Sequence, residues 1–113
     1  MSAEPDPGAF RPPRFEVTVE EAADSVLLRI SGELDLVSEP QLNHALEQTA
    51  GRDATLDLSE LAFMDSTGLR TLLEAHSGEG GERISFVAGN DHVQGVFRLS
   101  GLLEELPFRA PEG

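Results

Sequence analysis

The chain has 113 residues, no cysteine and no lysine, and its eight arginines face 21 acidic residues for a net charge of -13. That length holds one domain with one modest core. The missing cysteines exclude disulfides, thiolate metal sites and a cysteine nucleophile, and the missing lysines exclude a P-loop lysine and a Schiff base. The acidity disfavours nucleic acid and anionic membranes as partners and speeds encounter with a basic protein face. No apolar run is long enough to span a bilayer, and Met1–Gly8 has neither the basic start nor the apolar stretch of a signal peptide, so a cytoplasmic protein is expected.

Residues 1–14 carry Pro5, Pro7, Pro12, Pro13 and Gly8 without an apolar period, and are read as a flexible Pro-rich tail. Glu4 and Asp6 balance Arg11 and Arg14 there, so the remainder carries the whole acidic excess. Phe15, Val17 and Val19 alternate as a first strand, and Val26–Ser31 reads as a second, stopped at Gly32; together they predict an antiparallel hairpin. Ser38-Glu39-Pro40-Gln41 has the form of a capping box opening a helix with Leu42, Ala45, Leu46 and Thr49 on one face, ended by Gly51. Ala54–Ser59 reads as a third strand, and Leu61 and Phe63 carry apolar content on to a turn at Met64-Asp65-Ser66. Leu69, Leu72, Leu73 and His76 then give a second helix ending near Gly78.

After a glycine-rich acidic connector, Ile84–Ala88 is a fourth strand. Asn90 or Asp91 caps a third helix bearing Val93, Val96 and Phe97, stopped by Gly101, and Leu102–Phe108 supplies a short last strand broken by Pro107. The order β-β-α-β-α-β-α-β implies an α/β domain over residues 15–108, with 109–113 as a short C-terminal tail. Its sheet is mixed but mostly parallel, has an antiparallel N-terminal hairpin and is covered by helices.

Chemistry points to the third strand's end. Asp65 or Ser66 opens a helix whose free N–H groups and positive dipole end favour negative charge. Gly68 has no side chain, so another backbone or a partner can approach closely. Taken alone, Asp-Ser-Thr-Gly needs no role beyond capping. A serine hydrolase would need a Gly-x-Ser-x-Gly elbow and a histidine near Ser66, but the elbow is absent, and His44, His76 and His92 fall on three different elements. Metal-ligand spacings such as His-x-x-x-His are absent too, so no catalytic or metal residue is expected.

The larger pattern resembles the STAS domain, and specifically the bacterial anti-sigma factor antagonists. It rests on Gly32-Glu33-Leu34-Asp35, on Leu56-Asp57-Leu58-Ser59 leading to Phe63-Met64-Asp65-Ser66-Thr67-Gly68-Leu69, on Val96–Leu102, and on the element order; it covers Phe15 to Leu106. The resemblance implies a non-enzymatic partner switch. The unmodified antagonist binds an anti-sigma factor that is also a serine kinase, which releases a sigma factor; phosphorylation at Ser66 ends binding, and a phosphatase resets it. Asp35, Asp65, Ser66, Thr67 and Gly68 then form the partner surface, with no cofactor of the chain's own, the ATP being consumed by the partner kinase. Thr67 stands where serine is also common and is a possible second acceptor. The chain also stops soon after Leu106, where many relatives continue into another helix. The alternative is a STAS scaffold or phospho-switch with a different client, such as a transport complex or another signalling protein.

Overall fold

The computed structural model describes residues 15–49, 51–78, 80–101 and 103–110. The tail expected over 1–14, Leu102 and Pro111–Gly113 lie outside them. Strands β1 (Glu16–Glu21) and β2 (Ser25–Leu34) are followed by helix α1 (Glu39–Glu47), β3 (Asp53–Met64), α2 (Ser66–Ser77), β4 (Ile84–Val87), α3 (Asp91–Ser100) and β5 (Phe108–Arg109). The spatial order β1-β2-β3-β4-β5 repeats the chain order; β1 pairs antiparallel with β2, and the other three pairings are parallel.

That monotonic order fixes where the helices go. Each crossover is expected to be right-handed, and three in the same direction put three helices on the same face. Burial agrees: Val26, Leu28, Ile30 and Leu34 of β2, Leu56, Leu58, Leu61 and Met64 of β3 and Phe86 of β4 join Leu42, Leu72, Val93 and Phe97 of the helices in one core. Each fully buried Leu or Phe among them contributes about 1.5–3 kcal/mol. The opposite face is open and polar. There Arg29 bonds Glu20 at 2.8 Å and lies 3.9 Å from Asp57, while Arg109 reaches the Thr55 and Ser85 hydroxyls at 3.3 and 3.2 Å. The Glu20 hydrogen bond and charge hold the Arg29 pKa above its ordinary value.

Both central strands run further than periodicity predicts. Leu58, Leu61 and Met64 are three apart, which breaks a two-residue alternation, yet all are buried on one face. Register shifts lie between Arg29/Ser31 and Gly32/Glu33, so that β3 uses 12 residues against 10 in β2. The extra residues are bulges that return every third apolar side chain to the core. Gly32 does not stop β2: it sits at the second shift with φ +90°, a conformation glycine adopts without steric cost.

Two other expectations change. The Ser38–Gln41 capping box does not form, because the Ser38 hydroxyl makes no cap bond to α1 and instead donates to the Glu33 carbonyl at 2.9 Å. The last strand shrinks to Phe108–Arg109, since Leu103–Glu105 winds into a 3-10 turn and proline 107 has no N–H to offer a ladder. Among the described residues no helix is long and apolar enough to cross a membrane.

Candidate functional site

Strands β2 and β3 end side by side, Leu34 opposite Met64, and an aspartate follows each. The two aspartates do different local work. Asp65 is extended (φ -107°, ψ -171°) and its Oδ1 accepts the Gly68 N–H at 3.0 Å, so Asp65, not Ser66, is the N-cap of α2. Asp35 organises the loop into α1: its Oδ1 accepts the Val37 and Ser38 N–H groups at 3.0 and 3.1 Å, while the Ser38 hydroxyl accepts the Asp35 N–H at 2.9 Å. The Asp65 N–H donates to the Leu34 carbonyl at 3.3 Å and ties one loop to the other.

Ser66 is the first residue of α2; it is exposed, and its hydroxyl makes no hydrogen bond among the described residues. Beyond the Asp65 carboxylate at the cap, no acidic side chain occupies the first turn of α2. Thr67 is half-buried, and its carbonyl accepts the Thr71 hydroxyl at 3.0 Å. Gly68 is buried, and its close approach is internal: a Cβ there would lie 2.7 Å from the Leu34 carbonyl oxygen and 2.8 Å from Cγ of Leu34 and of Met64. Asp35, Asp65, Ser66 and Thr67 are thus brought to one rim, with Gly68 beneath them as the spacer that lets α2 start against β2.

Periodicity gave no sign of the apolar residues around this turn. Leu36 and Val37 are 66% and 87% exposed, in the loop between β2 and α1. On the other side Phe63, 39% exposed, stacks on His92 with ring centroids 4.9 Å apart and planes 17° from parallel. The His92 Nε2 lies 3.4 Å from the Met64 nitrogen and 3.3 Å from the Met64 oxygen, so the first turn of α3 braces the strand end just before Asp65. The one available signal was that Leu36-Val37 fits neither the strand period before it nor the helix period after it.

Other chemistry is sparse. Among the described residues no three His or acidic side chains gather as a metal-binding group. His76 lies against Phe86, with its Nδ1 buried and without a hydrogen-bond partner among the described residues. A hollow of ≈ 700 Å³ lies over the open face, lined by Arg29, Thr55, Asp57 and Arg109, away from Ser66.

Comparison with known proteins places the fold. A family model described as "Mlab, STAS domain" matches residues 17–107. The anti-sigma-B factor antagonist of Listeria monocytogenes serovar 1/2a is 25% identical over 99 residues, 83% of this chain and 87% of that protein. The crystal structure of an anti-sigma factor antagonist from Mycobacterium paratuberculosis aligns with a TM-score of 0.76 at 26% identity, covering 88% of this chain and 87% of that one. The Bacillus cell fate determinant SpoIIAA in its phosphorylated form has the same fold, with a TM-score of 0.65 at 20% identity over 86% of this chain and 92% of that one.

Proposed function

The chain belongs to the STAS domain family, and on that premise we propose that it is an anti-sigma factor antagonist acting in the cytoplasm. In this reading the unmodified protein binds an anti-sigma factor that is also a serine kinase and thereby frees a sigma factor. The kinase spends its ATP on Ser66, and a phosphatase restores the hydroxyl. The chain itself holds no cofactor and turns over no substrate.

The observation that carries this reading is the Ser66 hydroxyl: exposed, unbonded among the described residues, and one residue past a cap that does not depend on it. A phosphate there adds about 1.5–2 negative charges. The positive end of α2 tolerates that charge, so the fold survives. A partner docked over the turn does not tolerate it. Two negative charges facing one at about 6 Å, with an effective dielectric of ~40, cost roughly 3 kcal/mol, about a hundredfold in affinity. No conformational change is required, only a blocked surface.

The test is incubation with the cognate kinase and ATP, followed by mass mapping and calorimetry against the same partner. One phosphate on Ser66 and the loss of binding are expected. Phosphate found only on Thr67, or full affinity after modification of Ser66, would reject the assignment.

A further inference from the structure

At one place on the open face of the sheet, hydrogen-bond donors outnumber acceptors. Thr55 of β3 is in register with Ser85 of β4, and their hydroxyls lie 3.2 Å apart. The Arg109 guanidinium of β5 reaches both, its Nη2 lying 3.3 Å from the Thr55 Oγ1 and 3.2 Å from the Ser85 Oγ. Among the described residues no carboxylate forms an ion pair with Arg109, and its Nε and Nη1 have no hydrogen-bond partner. Two hydroxyls share only one proton between them. The second hydroxyl proton and most of the guanidinium N–H groups are thus left without a protein acceptor.

The acids nearby are committed elsewhere. Asp57, in register with Val87, which is itself in register with Arg109, accepts the Ser59 N–H on Oδ1 at 2.9 Å and turns Oδ2 to Arg29 at 3.9 Å. Glu20 is bonded to Arg29 at 2.8 Å and Glu21 to Arg52 at 2.7 Å. The hollow of ≈ 700 Å³ lies over the cluster, a volume typical of small-molecule sites. Leu27, the register partner of Thr55, and Val87, the register partner of Arg109, are half-buried and give the hollow apolar walls.

We propose that Arg109, Thr55 and Ser85 bind the carboxylate of a small organic acid whose apolar body rests against Val87 and Leu27. A guanidinium fork matches the two oxygens of a carboxylate, and the free hydroxyl proton supplies a further bond. The acid is a monoanion and not a phosphate, because a second negative charge meets Glu60 at the wall of the hollow and the field of a domain of net charge -13. Neither the Ser66 turn nor a protein partner enters, so the inference stands apart from the proposed function.

The probes are 3-phenylpropanoate, its neutral amide and inorganic phosphate, each titrated into the millimolar range against nitrogen-15-labelled protein at neutral pH. The acid should shift the amide resonances of Thr55, Ser85, Val87 and Arg109 saturably and leave those of Leu36, Ser66 and Leu99 in place. Arg109→Gln should weaken its binding about tenfold or more, the worth of one charge-assisted hydrogen bond. Thr55→Val combined with Ser85→Ala should weaken it several-fold. Circular dichroism checks that each variant folds, and the double variant leaves Arg109 in place, so the site is tested without altering the last strand. A neutral amide that binds as well as the acid, phosphate that binds more tightly, or a folded variant of either kind with the parent's affinity would overturn the proposal. So would the absence of any saturable shift, or shifts centred away from this cluster.

Discussion

Gly68 and Leu34 meet at a distance that no side chain on residue 68 could share, the Leu34 carbonyl oxygen lying 2.7 Å from where a Cβ would be. This contact sets α2 down beside the end of β2 and holds the Ser66 turn at the rim. Gly68→Ala should therefore destabilise the domain. Overpacking costs typically about 1–3 kcal/mol, of which alanine's helix preference returns at most about 1. Gly95→Ala is the control: it lies within α3 with nothing within 4 Å of its Cβ position, and should stabilise by up to about 1 kcal/mol. Urea denaturation of both variants separates the two effects, and equal midpoints would show that the Gly68 approach is not needed.

Asp65→Ala should lower stability by about 1 kcal/mol, through loss of the bond to the Gly68 N–H. Asp65→Asn keeps an accepting oxygen and should fall close to the parent. For a domain of this size the alanine loss corresponds to about 4–8 °C in melting temperature. An asparagine variant as unstable as the alanine one would mean that charge, not the cap bond, is what Asp65 supplies.

Ser66→Ala should leave stability within about 0.5 kcal/mol, as for an exposed residue that is not the cap. It should also keep partner affinity while losing phosphorylation. Ser66→Asp should fold equally well and bind about tenfold more weakly, half the logarithmic penalty estimated for phosphate. Circular dichroism checks the fold and calorimetry the affinity. A folded Ser66→Ala variant that binds nothing would make the hydroxyl part of the docking contact itself.

Added salt should raise the melting temperature. With a net charge of -13, self-repulsion outweighs the few exposed ion pairs, such as Arg52–Glu21 at 2.7 Å. Scans between about 0.02 and 0.5 M sodium chloride suffice, because the Debye length falls severalfold over that range. A falling melting temperature would put the surface pairs ahead of the net charge.

The succession of elements was readable because α1, α2 and α3 each repeat apolar residues at helical spacing and the strands alternate. What the pattern hid was local. Leu58, Leu61 and Met64 look unlike a strand until two bulges are allowed, and a bulge is set by the neighbour's register, not by the strand's own residues. Ser38 has the sequence of a cap, but the bend after Leu34 turns its hydroxyl to Glu33 and Asp35. Ser66 was legible from its place at a strand-to-helix turn. Leu36, Val37 and the Phe63–His92 stack were not, because exposure depends on which loops share a rim.

The one-sided sheet also bears on how copies of this protein behave toward one another. A bare β surface invites stacking, and an unpaired strand edge invites a further strand. Here the bare side is filled with side chains already bonded in pairs, Arg29 to Glu20 and Arg109 to Thr55 and Ser85. Of the two sheet edges, β5 is only two residues long, and β1 displays Glu16, Glu20 and Glu21. Two molecules approaching edge to edge would set carboxylates against carboxylates before any backbone bond could form. Mutual avoidance is thus written into the uncovered half of the domain.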